Sequence, residues 1–419
     1  MSSDSSSRGF PSPWPLMIVA AAIMLVTTGA RQSLGLYVAP LHGATGLGIT
    51  QISLALAIGQ FMWGASQPIF GAIADRHGSL WVLVAGALML SVGFAATPYM
   101  DTTAGLIWSL GILSAAGAGA GSFSILIGAT ARKLAPERRG FAAGFINAGA
   151  SFGQFLFAPL NQLLIAVFGW ASAISTMAVL MLMTIPLAWR LRGSPVEVVG
   201  EGAATPAAGA QSPVASGGLR AQLAVAVRDP SYWCLHAGFF TCGFHIAFLV
   251  THLPTEIGLC GLSGSVAATS LAIIGLANIA GSLGVGALGN HFRQKWLLFF
   301  VYFSRALAVG LYVLSPRDAF SFYVFAAVLG VTWLSTVPPT VGLVNKLFGT
   351  RYLATLFGLT LLSHQIGGFF GAWLGGVAIS RFGNYSWMWY ADILLALGAA
   401  LINLPIREAP VARRGTAQA

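Results

Sequence analysis

Gly71-Ala72-Ile73-Ala74-Asp75-Arg76-His77-Gly78, with Trp81 just beyond, separates two long apolar runs, 50–74 and 80–99. Each run is long enough to cross the hydrocarbon core of a bilayer, which takes about 20 apolar residues in a helix. At an offset of 215 residues the pattern returns as Gly286-Ala287-Leu288-Gly289-Asn290, with Trp296 in the place of Trp81. Two further registers repeat at an offset of 214: Gly29-Ala30-Arg31 with Pro40 against Gly243-Phe244-His245 with Pro254, and Gly144 and Gly153 against Gly358 and Gly367. Agreement at three places across half the chain marks an internal duplication. Parallel repeats of this size put a binding site between the halves and let the halves rock about it.

The composition demands a non-aqueous solvent. Of 419 residues, 56% are hydrophobic and 8% charged, against about 25% charged in an ordinary soluble domain. The 52 glycines suit close helix contacts in lipid, where small residues let backbones approach. Twelve spans are expected, at 14–37, 50–74, 80–99, 104–130, 138–166, 170–190, 230–253, 264–289, 296–315, 319–346, 353–379 and 386–407. The fold class is therefore all-α and membrane-embedded, with two pseudo-symmetric six-helix bundles, 14–190 and 230–407. A Gly-, Ala-, Ser- and Pro-rich stretch, 191–229, reads as a flexible linker, with 1–13 and 408–419 as tails.

The net charge of +10 belongs to the topology and not to a nucleic-acid partner. Of 21 Lys and Arg, Arg31 and Arg305 fall within spans and Arg317 and Arg381 in one set of loops, which leaves 17 on the opposite side. That asymmetry is the positive-inside pattern, and it places both termini in the cytoplasm of a cell whose inner membrane holds the chain. The N-terminus has neither a basic n-region nor a small-residue cleavage site and reads as a tail, not a signal peptide. Cys234, Cys242 and Cys260 match no metal or disulfide spacing. No phosphate loop of the G-x-x-x-x-G-K-[ST] type, H-E-x-x-H helix or G-x-S-x-G elbow occurs. No enzyme activity, cofactor or metal is expected, and transport must draw on a solute or ion gradient.

The loop at 71–78 resembles the G-x-x-x-D-R-x-G loop of the major facilitator superfamily. In that family it latches one conformation, which would make Gly71, Asp75, Arg76 and Gly78 the latch here. Glu137-Arg138-Arg139-Gly140, followed by Ala143-Gly144, Ala148-Gly149 and Gly153, resembles a signature of the monocarboxylate porters and oxalate/formate antiporters, as do Gly64-Ala65-Ser66-Gln67-Pro68. Phe357-Gly358 through Gly371 is similar to the antiporter helix that carries a substrate-binding lysine, with His364 in the lysine's place. Val285 lies near the position of the carboxylate-binding arginine of those relatives. The resemblance implies a secondary transporter of a small organic anion, foremost a monocarboxylate.

An ionisable side chain within the bilayer is costly, and by default marks function. Arg31 is the foremost candidate, because a guanidinium offers a planar fork to a carboxylate. Its repeat partner His245 is expected to face it across the central cavity, and both His245 and His364 are candidates for binding the anion or carrying a proton. Arg31 could instead snorkel or satisfy carbonyls at a helix contact. Tyr37, Gln32, Asn147, Trp333 and Gln365 complete the expected pocket, and Gln60, Gln154, Asn278, Ser122 and Ser124 are further polar residues within spans. Gln and Asn there serve equally as interhelical ties. Arg305 and Asp392 lie at comparable depth in spans 9 and 12, and a structural ion pair between them is expected. Pro338-Pro339 is a candidate hinge. The rival function is an exporter of drugs or a neutral solute. The expected partners are the anion, a proton as candidate co-ion and the bilayer, around a monomeric chain.

Overall fold

The computed structural model describes residues 14–131, 134, 136–192, 219–349 and 352–411. The expected tail 1–13, residues 412–419 of the expected tail 408–419, most of the linker (193–218), Arg132, Lys133 and Arg351 lie outside the described residues, as do the side chains of Asp75, Ala131, 136–140 and Ala354. Among the described residues the secondary structure is helical throughout. The elements are α1 (Trp14–Gln32), a 3-10 turn (Leu34–Tyr37), α2 (Val38–Thr45), α3 (Ile49–His77), α4 (Ser79–Ala96), α5 (Thr103–Leu106), a π-helical stretch (Ile107–Ser114), α6 (Ala115–Ala120), α7 (Phe123–Ala131), α8 (Pro136–Leu182) and α9 (Thr184–Arg190). The second half holds α10 (Leu219–Arg228), α11 (Pro230–Leu259), α12 (Gly264–Leu288), α13 (Gln294–Leu314), α14 (Ala319–Thr332), α15 (Val337–Phe348), α16 (Leu353–Phe382) and α17 (Ser386–Asn403).

These elements make twelve membrane spans in two six-helix bundles. Nine stretches of the described chain are long and apolar enough to span by that criterion alone. Spans 5 and 6 run together in it because α8 carries both, turning at Gly169, where φ is 76°. α3 and α16, spans 2 and 11, are absent from the nine. Their lower apolarity has a physical reason: they pack against one another between the bundles, so part of each meets polar protein where other spans meet lipid.

The duplication is visible in packing. In the first bundle α1 lies on α8 so closely that a Cβ on Gly29 would stand 2.6 Å from the carbonyl carbon of Gly153. In the second, α11 lies on α16 with Gly243 against His364 O, Gly367 against Phe240 O and Gly371 against Phe244 O. Span 4 breaks at Gly121–Ser122, between α6 and α7, and span 10 breaks at 333–336, between α14 and α15. The sequence offset of 214 carries one break onto the other. Pro338 and Pro339 sit in the first turn of α15, where a missing N–H costs nothing; the bend itself precedes them.

Among the described residues the bundles touch at one end and leave open space at the other. Away from the 71–78 loop, Thr50 Oγ1 donates to Gly376 O at 2.9 Å, Gly35 abuts Val250 O, and Gly264 abuts Gln162. At mid-height Asn278 Nδ2 donates to Ser151 Oγ at 2.8 Å. Toward the 71–78 loop, positions 71, 144, 284 and 358 on α3, α8, α12 and α16 each have open space where a Cβ would project. The loop is closed by Gly78, whose φ of 89° is left-handed and which donates its N–H to Ala74 O at 2.9 Å. Arg76 is exposed beside it.

The stretch expected as a flexible linker is helical over its last part. α10 buries Gln222 and Ala226, and Gln222 Nε2 donates to Phe348 O at 3.3 Å. An amphipathic segment with an apolar face to bury packs on the nearest bundle, so the second half begins structurally at Leu219.

Candidate substrate-binding site

Arg31 occupies the last turn of α1, where the negative end of the helix dipole favours a cation. Ser33 ends the helix by donating its hydroxyl to Gly29 O at 2.7 Å, and the chain turns away through the 3-10 segment. Two α3 residues one turn apart receive the guanidinium. Nη1 donates to Gln60 Oε1 at 2.6 Å, and Cζ stands 4.2 Å over the Trp63 ring. Nε is buried with no hydrogen-bond partner. The group faces a cavity also lined by Leu56, Leu110, Ser114 and, from the second bundle, Thr251. Leu110 and Ser114 belong to the π-helical stretch, and such stretches recur at functional sites because they re-aim side chains. Among the described residues the lining contains no Asp or Glu.

The other expected pocket residues are dispersed. Gln32 leaves Oε1 buried and unpartnered beside Arg31, whereas the Tyr37 hydroxyl is committed to Asn161 Oδ1. Gln365 is buried against Gly64 of α3 with Nε2 unpartnered, which places it on the seam between bundles. Asn147 is half-buried on α8, and none of Asn147, His245, Trp333, His364 or Gln365 borders the Arg31 cavity. His364 is half-buried, its ring 5.2 Å from that of Phe239 and its Nδ1 unpartnered. Ser122 and Ser124 share a hydrogen bond of 3.0 Å, while Gln154 leaves both amide atoms unpartnered.

Two expectations are corrected. His245 does not face Arg31 across the cavity; it is fully buried and its Nδ1 donates to Asp392 Oδ2 at 2.5 Å. The Arg305–Asp392 ion pair is also not formed, since the carboxylate is held by the imidazole. Arg305 Nη2 donates instead to Thr332 O at 2.6 Å and Trp333 O at 3.2 Å. The carbonyls around the break in span 10 lack helical partners, and a guanidinium is the donor that can satisfy them. Trp333 is sealed inside the second bundle at 1% exposure.

Trp63 was not legible beforehand: a tryptophan in a membrane span is ordinarily packing, and only its spacing from Gln60 on α3 links it to Arg31. Among the described residues no three His, Cys, Asp or Glu side chains converge to hold a metal ion.

The family model of the Major Facilitator Superfamily matches residues 16–372. The chain belongs to this superfamily. Its fold and relatives are those of membrane transporters, not of enzymes. As a member it is similar to the oxalate:formate antiporter of Oxalobacter formigenes, 23% identical over 404 residues, covering 96% of this chain and 92% of that protein. Monocarboxylate transporter 13 of Rattus norvegicus is 25% identical over 399 residues, covering 94% and 89%. A crystal structure of a D-xylose-proton symporter superposes with a TM-score of 0.74 at 14% identity over 96% of this superfamily member and 98% of that chain, which is agreement in fold.

Proposed function

We propose that the protein carries a small organic anion, foremost a monocarboxylate, across the cell's inner membrane by alternating access, and that Arg31 binds the carboxylate. One observation carries the reading: among the described residues, Arg31 is a guanidinium beside a cavity whose lining holds no carboxylate, and it makes no ion pair. A cation held within the membrane without a counter-ion is expensive, and a substrate carboxylate removes that cost on entry. Gln60 and Trp63 fix the plane of the guanidinium, so its free edge is presented in advance and little ordering remains to be done on binding. Relatives named for oxalate, formate and monocarboxylates agree with this substrate class.

In this reading both termini are cytoplasmic, the 71–78 loop latches the alternate state, and the end at which the bundles part opens to the cytoplasm. The anion drives the switch by binding one state better than the other. Gradient coupling uses exchange or a proton, for which His245 and His364 are the candidate carriers. The test is uptake by proteoliposomes of oxalate, formate, L-lactate and, as a neutral control, D-xylose. Accumulation of at least one carboxylate and exclusion of the sugar is the expected result; uptake of the sugar alone would refute the anion reading.

A further inference from the structure

We propose that His245 and Asp392 together form the proton-carrying site of the transporter, seated in the second bundle behind the substrate cavity. The inference rests on the transporter reading and deepens its coupling. The pair is sealed: both side chains have 0% exposure, with His245 Nδ1 2.5 Å from Asp392 Oδ2. A buried network with a purely structural task satisfies its members, and this one does not. His245 Nε2, Asp392 Oδ1, and Nε and Nη1 of Arg305 are all buried without partners. Such a set is suited to changing occupancy. With His245 neutral, the guanidinium of Arg305 balances the carboxylate; one added proton makes the pair an imidazolium–carboxylate and leaves the cluster net positive.

Charged and titratable groups surround the imidazole from several helices. α17 supplies Asp392, and α13 supplies Arg305, whose charge also reaches His245, with Tyr302 beneath the guanidinium. α16 carries His364, whose ring stands 5.2 Å from that of Phe239 on α11, and Cys242 lies one turn before His245 on α11. α12 carries no charged residue and the break in span 10 brings none, only the Trp333 ring against His245 and the Thr336 hydroxyl 3.3 Å from Cys242 Sγ. Trp333 ties the pair to the moving parts. Its ring meets that of His245 edge-on at 6.0 Å, while its carbonyl accepts from Arg305 at 3.2 Å and lies 3.9 Å from Cys242 Sγ. A proton taken up from one side therefore changes the charge beside the residue at which span 10 bends, and leaves unchanged in number on the other side. The net positive charge it adds is offset by the substrate anion, which favours loading the two together.

Trp333 also reports on the pair. The purified protein, with no carboxylate present, is titrated by tryptophan emission, and the Trp333→Phe spectrum is subtracted. A one-proton step is expected in the difference, retained in Arg31→Gln and lost in both His245→Gln and Asp392→Asn. A flat wild-type difference, or a step that survives in both variants, overturns the assignment. If those variants do not fold, Trp333→Phe alone decides: a step undiminished by it lies elsewhere in the molecule. In proteoliposomes, radiolabelled oxalate should follow an imposed pH gradient in the wild type, whereas Asp392→Asn should exchange oxalate but no longer accumulate it. Gradient-driven accumulation by Asp392→Asn equal to wild type would refute the site. Failure of the anion reading shows separately, as absent carboxylate uptake with the proton step intact.

Discussion

Replacing Gly35 by alanine should move the protein out of the conformation described here. A Cβ at this position would overlap Val250 O and stand 2.9 Å from Thr251 O and 3.1 Å from the carbonyl carbon of Val250. Ordinary contact begins at 3.4 Å, and every one of these neighbours is backbone of α11, which cannot rotate aside. Overpacking of this kind costs about 1–3 kcal/mol. The strain exists only where the bundles touch, so it falls on this state and not on one in which the same ends have separated. That converts into a shift of roughly 5- to 150-fold in the equilibrium between states. The assay is pulsed EPR between nitroxides at Ala44 and Leu259, both exposed at this end in opposite bundles, with the native cysteines replaced. Gly35→Ala should populate a longer distance, while Gly144→Ala, which meets open space, should not. A lowered melting temperature with an unchanged distance distribution would show that the strain does not fall on this state alone.

Other consequences follow from the same geometry. Trp63→Leu removes the ring beneath Arg31, an interaction worth about 0.5–2 kcal/mol, and should weaken oxalate binding by up to about 30-fold in equilibrium dialysis, with Trp63→Phe close to wild type. Tyr37→Phe leaves Asn161 Oδ1 without its donor and should cost about 1–3 kcal/mol of stability, seen as earlier thermal unfolding, without changing substrate affinity. Gly243→Ala drives a methyl into His364 O and should abolish the monodisperse peak in size-exclusion chromatography, whereas Gly358→Ala, on the neighbouring helix but in open space, should elute as wild type.

The twelve spans were readable because a bilayer imposes length and apolarity on each, and even α3 and α16 stand out once the requirement is twenty residues and not an average. The repeat was readable because duplicated backbones need glycine at equivalent crossings, as at Gly153 and Gly367. The position of Arg31 within a span was readable because a charge in an apolar run stands out. Depth along a helix was also readable, which is why Arg305 and Asp392 were expected to meet. Azimuth was not: with 3.6 residues per turn, equal height leaves the direction of a side chain open, and Asp392 turned out to point to α11. The amphipathic segment of α10 was hidden by the Gly- and Ala-rich stretch before it. Trp63 was hidden because its role depends on a neighbour on another helix.

Anion transport depends on the guanidinium of Arg31 receiving a carboxylate, and oxalate counterflow in proteoliposomes measures that directly. Arg31→Gln, which keeps a polar side chain but no charge, should abolish counterflow, and Arg31→Lys, which keeps the charge but loses the planar fork, should retain a weakened remnant. Wild-type counterflow in Arg31→Gln would contradict the account.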